Sequence, residues 1–412
     1  MSQRPLRIAV YCCDYYPAVS GYSFAFQDLV RGLGEHPAGV EVDVFTPVPL
    51  ASAEEVSLRG VRVIRVDLPA RFAGVPVLPA LWNLFAKPWL TSRTIAMEHR
   101  NRDYDFLVAE TIEDPLALRF LPAELRARTM VRVHACMETE VVLWGRGAVF
   151  ALRRRLIGHV LRHHVRFIAA TSHYYLGFVK RWYLREDELL IAGKRFCVIE
   201  NSAPMLGGVP RHGFARPDRV HFMTLGRMDW QGANQKGFDD ILLALLHLDP
   251  AARQRVQLTV VGKGTERARL MQLASGIEGA TVEFIESMPN NAVREHLQTV
   301  DCVILASRYE GMSVFALEAL GSACPVIYSS AGGIADLVDG NGYQFPAGDA
   351  HALAERIGRF LSLADSDLRR MSERSLQLAA GFTPRAAAER LLEFSRLITA
   401  HDVDCPASDG RR

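Results

Sequence analysis

SRYEGMSVFALEALGSACPVIYSSAGG, residues 307–333, specifies a strand-to-helix turn. The run before it, DCVILAS (301–307), is apolar and β-rich and predicts a strand. VFALEALG predicts a helix opening near Ser313, and PVIYSS (325–330) predicts the next strand. With a helix start there, the backbone N–H groups around Gly311 to Phe315 have no intrahelical partners. They point out of the positive end of the helix dipole, where an anion is favoured. Glu310 lies in the loop and Glu318 on the second helical turn. A carboxylate accepts two hydroxyl hydrogen bonds at once, which suits the vicinal diols of a hexose or a ribose. Glu318 taken alone reads as a solvated helix face. Beside Glu310, Gly311 and the Gly332-Gly333 loop it reads as part of a site.

Working outward, the same alternation fills the chain. LRIAVYCC (6–13), VEVDVFTP (40–47), VRVIRV (61–66), DFLVAE (105–110), MVRVHACM (130–137), RFIAATS (166–172) and FCVIENSAP (196–204) predict strands with helical segments between them. The pattern restarts at RVHFMTLGRM (219–228) and VQLTVVGKG (256–264), followed by VEFIESM, DCVILAS and PVIYSS. Strand, loop and helix repeated in this way predict a doubly wound α/β architecture in two halves. The Gly-, Pro- and charge-rich stretch MLGGVPRHGFARPD (205–218) is the linker candidate. The expected domains are 1–205 and 206–383, with a helix at 384–400 opened by Thr383 and Pro384 and a flexible tail at 401–412.

Bulk composition agrees. The chain has 412 residues, 49% hydrophobic and 23% charged, the profile of a soluble globular protein with room for two domains. A formal net charge of +2 selects no partner. Seven cysteines without a C-x-x-C pair predict reduced thiols in a cytoplasmic protein. No signal peptide or membrane-spanning run is expected.

Gly226-Arg227 closes the first strand of the second half, and Lys236-Gly237 precedes the helical run FDDILLALLHL (238–248), which Lys236 is expected to open. Two cations beside an anion-binding helix start would neutralise a diphosphate. Gly262-Lys263-Gly264 after VQLTVV is a tight strand-to-helix turn, a weak signal alone.

These motifs together resemble the retaining glycosyltransferases of family 4 (group 1), strongly over residues 219–345 and weakly over the first half. GR…KG, VVGKG, the two glutamates Glu310 and Glu318 and the PVI…GG tail stand at the family's order. The resemblance implies the GT-B fold, two Rossmann-like domains with parallel sheets facing across a cleft, and a C-terminal helix crossing back to the first domain. It implies that Arg227 and Lys236 bind the donor diphosphate, that Glu310 holds the transferred sugar, and that Glu318 holds the nucleotide ribose. Gly226, Gly262 and Gly264 would shape the donor loops, and Gly311, Met312, Ser313 and Val314 would meet sugar and distal phosphate. Gly21 would cover the phosphates and His134 would reach the sugar or phosphate. Asn201-Ser202 stands where the family has Asn-Gly. Three departures stand out: Tyr22 follows Gly21 where a second glycine is usual, MDWQGANQ separates Arg227 from Lys236, and Asp336 replaces a glutamate.

The expected activity is transfer of a hexose-type sugar from a nucleoside-diphosphate sugar, UDP-linked before GDP-linked, to a hydroxyl acceptor. No cofactor or obligatory metal is expected, since no Asp-x-Asp stands in a suitable loop. A nucleotide-sugar epimerase or hydrolase, or a non-catalytic binding scaffold, are the alternatives. RGAVFALRRRLIGHVLRHHVRF (146–167) predicts a basic amphipathic helix suited to an anionic membrane surface, an acidic acceptor or plain solvent. WNLFAKPWLTSRTIAM (82–97) reads as a core helix or an acceptor-side one. No nucleic-acid-binding module is recognisable.

Overall fold

The computed structural model describes residues 4–12, 15, 21–47, 58–66, 82–110, 115–134, 147–214 and 218–401, without the side chains of 149, 334–336 and 399–401. Cys13, Cys136, Cys405, the side chain of Asp336 and the tail from 402 onward lie outside the described residues. The chain divides into two compact units, Met1–Ser202 with Pro384–Arg412, and Ala203–Thr383.

In the first unit seven described strands, β1 (Leu6–Tyr11), β2 (Val40–Thr46), β3 (Val61–Arg65), β4 (Phe106–Ala109), β5 (Thr129–Val133), β6 (Phe167–Ala170) and β7 (Arg195–Val198), form one parallel sheet. Their order is β3-β2-β1-β4-β5-β6-β7. The central strands are apolar without alternation because helices cover both faces. The helix Pro384–His401 joins this unit: Ala388, Leu391 and Ile398 share a core with Phe26, Leu29 and Leu33 of the helix Gly21–Gly34. Each large apolar side chain buried there contributes about 1.5–3 kcal/mol.

The second unit holds six described strands, β8 (Val220–Leu225), β9 (Val256–Val261), β10 (Thr281–Ile285), β11 (Cys302–Leu305), β12 (Val326–Ser329) and β13 (Gly342–Phe345), in the order β10-β9-β8-β11-β12-β13. All pairings are parallel. The strand order reverses between β8 and β11, and open parallel sheets take ligands at the carboxyl ends of the strands beside such a reversal. Gly226 follows β8 and Glu310 follows β11, so the fold places both candidates there.

Residues 203–205 belong to the second unit rather than the first, because the Ala203 N–H donates to Phe382 O at 3.0 Å. The linker candidate is anchored to the second unit through Arg211, which donates to Leu297 O at 2.9 Å and to Ser322 O at 3.2 Å. The basic segment forms the helix Ala148–His163, burying Ile157, Val160 and Leu161 and exposing Leu152, Arg154, Arg155, His159 and His163. Residues 82–102 are helical, with Leu84 and Ile95 in the core and Trp89 exposed. Among the described residues no helix is long and apolar enough to cross a membrane. Among the described residues Cys12, Cys197, Cys302 and Cys324 stand outside disulfides, and burial pushes the Cys324 thiol pKa up to about 11.

Candidate functional site

The loops after β8 and β11 meet through Lys236 and Glu310. The segment between Arg227 and Lys236 is a short helix, Trp230–Lys236, whose start is capped by Asp229 accepting from the Gly232 N–H at 2.8 Å. Lys236 therefore closes this helix instead of opening the next one, Phe238–His247. Gly237 makes the corner at φ 62°, with its Cα so close to Ala306 O that a Cβ would lie 2.2 Å from that oxygen. Local sequence hid the helix because MDWQGANQK has little apolar periodicity and a central glycine.

The Lys236 ammonium donates to Glu310 Oε2, and Ser307 Oγ donates to the same oxygen at 3.2 Å. Both charged side chains are mostly buried, 20% and 12% exposed, so the pair is screened less than a surface one. The Lys236 stem lies over Gly226, where a Cβ would meet its Cγ at 2.7 Å. Gly262 packs against Gly226 O and Gly264 against the Asp229 N–H region, so the β8 and β9 loops touch backbone to backbone. Arg308 clamps the short helix: it donates to Asn234 Oδ1 at 2.6 Å and to Asp240 Oδ1 at 2.8 Å. The Arg227 side chain is 61% exposed, with Nη1 3.4 Å from Asp229 Oδ2.

The helix Val314–Gly321 opens on Ser313, whose Oγ accepts from the Ala316 N–H at 3.3 Å. Gly311, Met312, Ser313 and Val314 form the buried turn leading into it. Glu318 is buried, not on a solvated face. Its Oε1 accepts from Asn290 Nδ2 at 3.1 Å and Arg294 Nε at 3.0 Å, both from the helix Asn290–Leu297. Burial pushes the Glu318 carboxyl above its ordinary value, against the pull of Arg294 and Asn290. Asn290, Arg294 and Ser307 were invisible to motif reading.

In the first unit Gly21 is the exposed first residue of its helix. Tyr22 turns inward, its hydroxyl donating to Glu110 O at 3.2 Å and its ring meeting His134 edge-on at 4.7 Å. His134 is buried just beyond β5, and Asn201 and Ser202 are buried beyond β7. His134 Nε2 lies 2.9 Å from Glu110 Oε2, and Arg132 Nη1 donates to the same oxygen at 2.9 Å. Burial and Arg132 push the imidazole down to about 4 despite the carboxylate. Burial opposes the Glu110 charge, yet Arg132 and His134 hold its carboxyl below the ordinary value. Glu110 lacks any motif and the fold brings it to His134, whereas Arg132 stands two residues before His134 in VRVHA (131–135). Among the described residues no three His, Cys, Asp or Glu side chains form a group that could hold a metal ion.

Two family models match the chain: glycosyl transferases group 1 over residues 219–363 and the glycosyl transferase 4-like domain over residues 20–193. The D-inositol 3-phosphate glycosyltransferase of Corynebacterium urealyticum is 32% identical over 152 residues, 35% of this chain and 35% of the relative. The chain thus matches only about a third of the length of such curated relatives. Sucrose-phosphate synthase from Thermosynechococcus elongatus superposes with a TM-score of 0.71 at 18% identity, covering 96% of this chain and 100% of that one. Anabaena HepE, solved with UDP and glucose, superposes with a TM-score of 0.65 at 16% identity, covering 94% of this chain and 98% of that one.

Proposed function

The chain belongs to the group 1 glycosyltransferases of the GT-B fold, and from that membership we propose that it transfers a hexose-type sugar, with retention, from a nucleoside-diphosphate sugar to a hydroxyl acceptor. The observation that carries this reading is the Lys236–Glu310 pair, held beside the buried turn 311–314 at the carboxyl edge of β8 and β11. A cation, a hydroxyl-accepting carboxylate and a helix start are what a sugar diphosphate requires.

In this reading the bond between the anomeric carbon and the leaving phosphate oxygen breaks as negative charge grows on the diphosphate. Lys236, Arg227 and the amides of 311–314 stabilise that charge. Glu310 accepts from the sugar hydroxyls and Glu318 from the ribose. The acceptor oxygen bonds to the anomeric carbon on the face the phosphate leaves, and the phosphate takes its proton. No carboxylate is assigned as a nucleophile. UDP is favoured over GDP, in keeping with the UDP held by HepE.

A thermal-shift panel of UDP, GDP, ADP and their sugar conjugates tests binding, since a ligand that binds the folded state raises its apparent stability. Product analysis with and without acceptors then separates transfer from hydrolysis or epimerisation. Binding of no nucleotide, or turnover that needs no acceptor, defeats the proposal. Transfer is expected to persist in EDTA. The exposed Arg154, Arg155 and Leu152 of the 148–163 helix support peripheral contact with an anionic membrane surface from the cytoplasmic side. Co-sedimentation with phosphatidylserine vesicles, absent with phosphatidylcholine alone, is the expected result.

A further inference from the structure

The helix that ends in Lys236 has almost no core of its own. It is seven residues long and buries only Gly232 and Ala233. So short a helix does not hold itself in water, and two small residues supply little packing. Its far end, the one that carries Lys236, is tied instead by polar contacts from the loop after β11. Arg308 Nε and Nη2 donate to the two oxygens of Asp240 at 3.1 and 2.8 Å, while Nη1 donates to Asn234 Oδ1 at 2.6 Å. The Arg308 N–H donates to Gln235 O at 2.8 Å, and Gln235 Nε2 donates to Tyr309 O at 3.4 Å. Asp240, in the first turn of the helix Phe238–His247, is 7% exposed in its side chain, against 31% for Arg308. A carboxylate buried to that degree needs its partner. Asn234 stands two residues before Lys236, and Arg308 stands two residues before Glu310.

We propose that Arg308 is a positioning residue for the Lys236–Glu310 pair: one planar guanidinium, spanning Asn234 and Asp240, sets the loop after β8 against the loop after β11 so that the ammonium meets the carboxylate. The proposal rests on the reading that this pair grips the donor, and adds a residue that acts through it. Lysine cannot replace the arginine, because a single ammonium cannot serve both acceptors as the planar fork does. Asn234 belongs to MDWQGANQ, the segment that separates Arg227 from Lys236, so that segment carries its own latch. The backbone bond from Arg308 to Gln235 remains without the side chain, so its removal lets the pair drift rather than part. Misplacement by about 1 Å costs on the order of 100-fold, and a partial drift should cost about tenfold.

The test is a set of mutant cycles on the full chain. In urea unfolding, Lys236→Ala, Glu310→Ala and the double variant measure the coupling of the pair. The same cycle on the Arg308→Ala background is expected to show that coupling reduced by about half or more. Asn234→Leu supplies a second background should Arg308→Ala not fold, and a smaller reduction is expected there. In transfer assays Arg308→Ala should lower kcat/KM about tenfold in the wild type but less than about twofold in Lys236→Ala. Arg308→Lys should fail to restore the rate, and Asn234→Asp, which keeps the acceptor, should lose less than Asn234→Leu. No coupling in the wild type, or the same coupling with and without Arg308, overturns the proposal. So do equal losses of rate in both backgrounds, the mark of a general loosening of the unit. The unfolding cycles need no substrate. A chain with the expected couplings and no nucleotide binding therefore refutes the assigned reaction and leaves the clamp standing.

Discussion

Gly332 lies against Glu310 so closely that a Cβ on the glycine would sit 1.8 Å from the Glu310 carbonyl oxygen. The glycine has φ 76°, and the next N–H, from Gly333, donates to that oxygen at 3.0 Å. The double glycine after β12 therefore braces the backbone of the residue that holds Lys236. Gly332→Ala should destabilise the second unit by about 2 kcal/mol or more, through steric clash and a left-handed backbone. The displaced Glu310 should cost on the order of 100-fold in transfer. Urea unfolding and kcat/KM measure the two effects.

Lys236→Ala and Glu310→Ala should each raise the transfer barrier by about 3 kcal/mol, roughly 100-fold in rate. Both side chains retain some solvent access, so the variants should still fold, as circular dichroism would report. Near-normal turnover by either contradicts the assignment.

Glu318 should make nucleotide binding pH-dependent. Its folded carboxyl is raised above 4.5 by burial, so acidification protonates it earlier than an ordinary glutamate. If Glu318 holds the ribose as proposed, the diol bonds the ionised carboxylate, and UDP affinity measured by calorimetry should weaken on the acid side while the protein remains folded. The stability sign is opposite: the folded state holds its proton more tightly, so this residue favours folding more as pH falls toward 4.5. Glu318→Gln should flatten the binding profile.

His134 works the other way on stability. Its folded value, about 4, lies below the ordinary 6.5, so the unfolded chain binds the proton first. Stability should fall as pH drops from 6.5 toward 4. In denaturant melts His134→Gln should lose that part of the slope.

Arg308→Ala should loosen the 230–236 helix without touching a ligand. It removes the bonds to Asn234 and Asp240, and Asp240 is nearly buried. Arg308 is partly exposed, so the loss should be modest, about 1 kcal/mol. Transfer should suffer more than stability, because Lys236 ends that helix.

Much of this was written locally. β8, β9, β11 and β12 are apolar runs between turn residues, and the helix start at Ser313 is a short-range capping event. Glu310 at the sheet edge follows from those two elements alone. The linker was legible in composition but not in attachment, because Arg211 bonds carbonyls some 86 to 111 residues away.

The sequence by itself determined two parallel α/β halves and the loops that carry the donor-site candidates, since strand, turn and cap signals act over a few residues. Tertiary structure alone decided which charges meet. Lys236 reaches Glu310 across 74 residues, Arg294 reaches Glu318 across 24, and Arg132 finds Glu110 across 22. Those partners are chosen by strand order and helix packing, which bring distant side chains to one sheet edge and remove the water that would otherwise screen them.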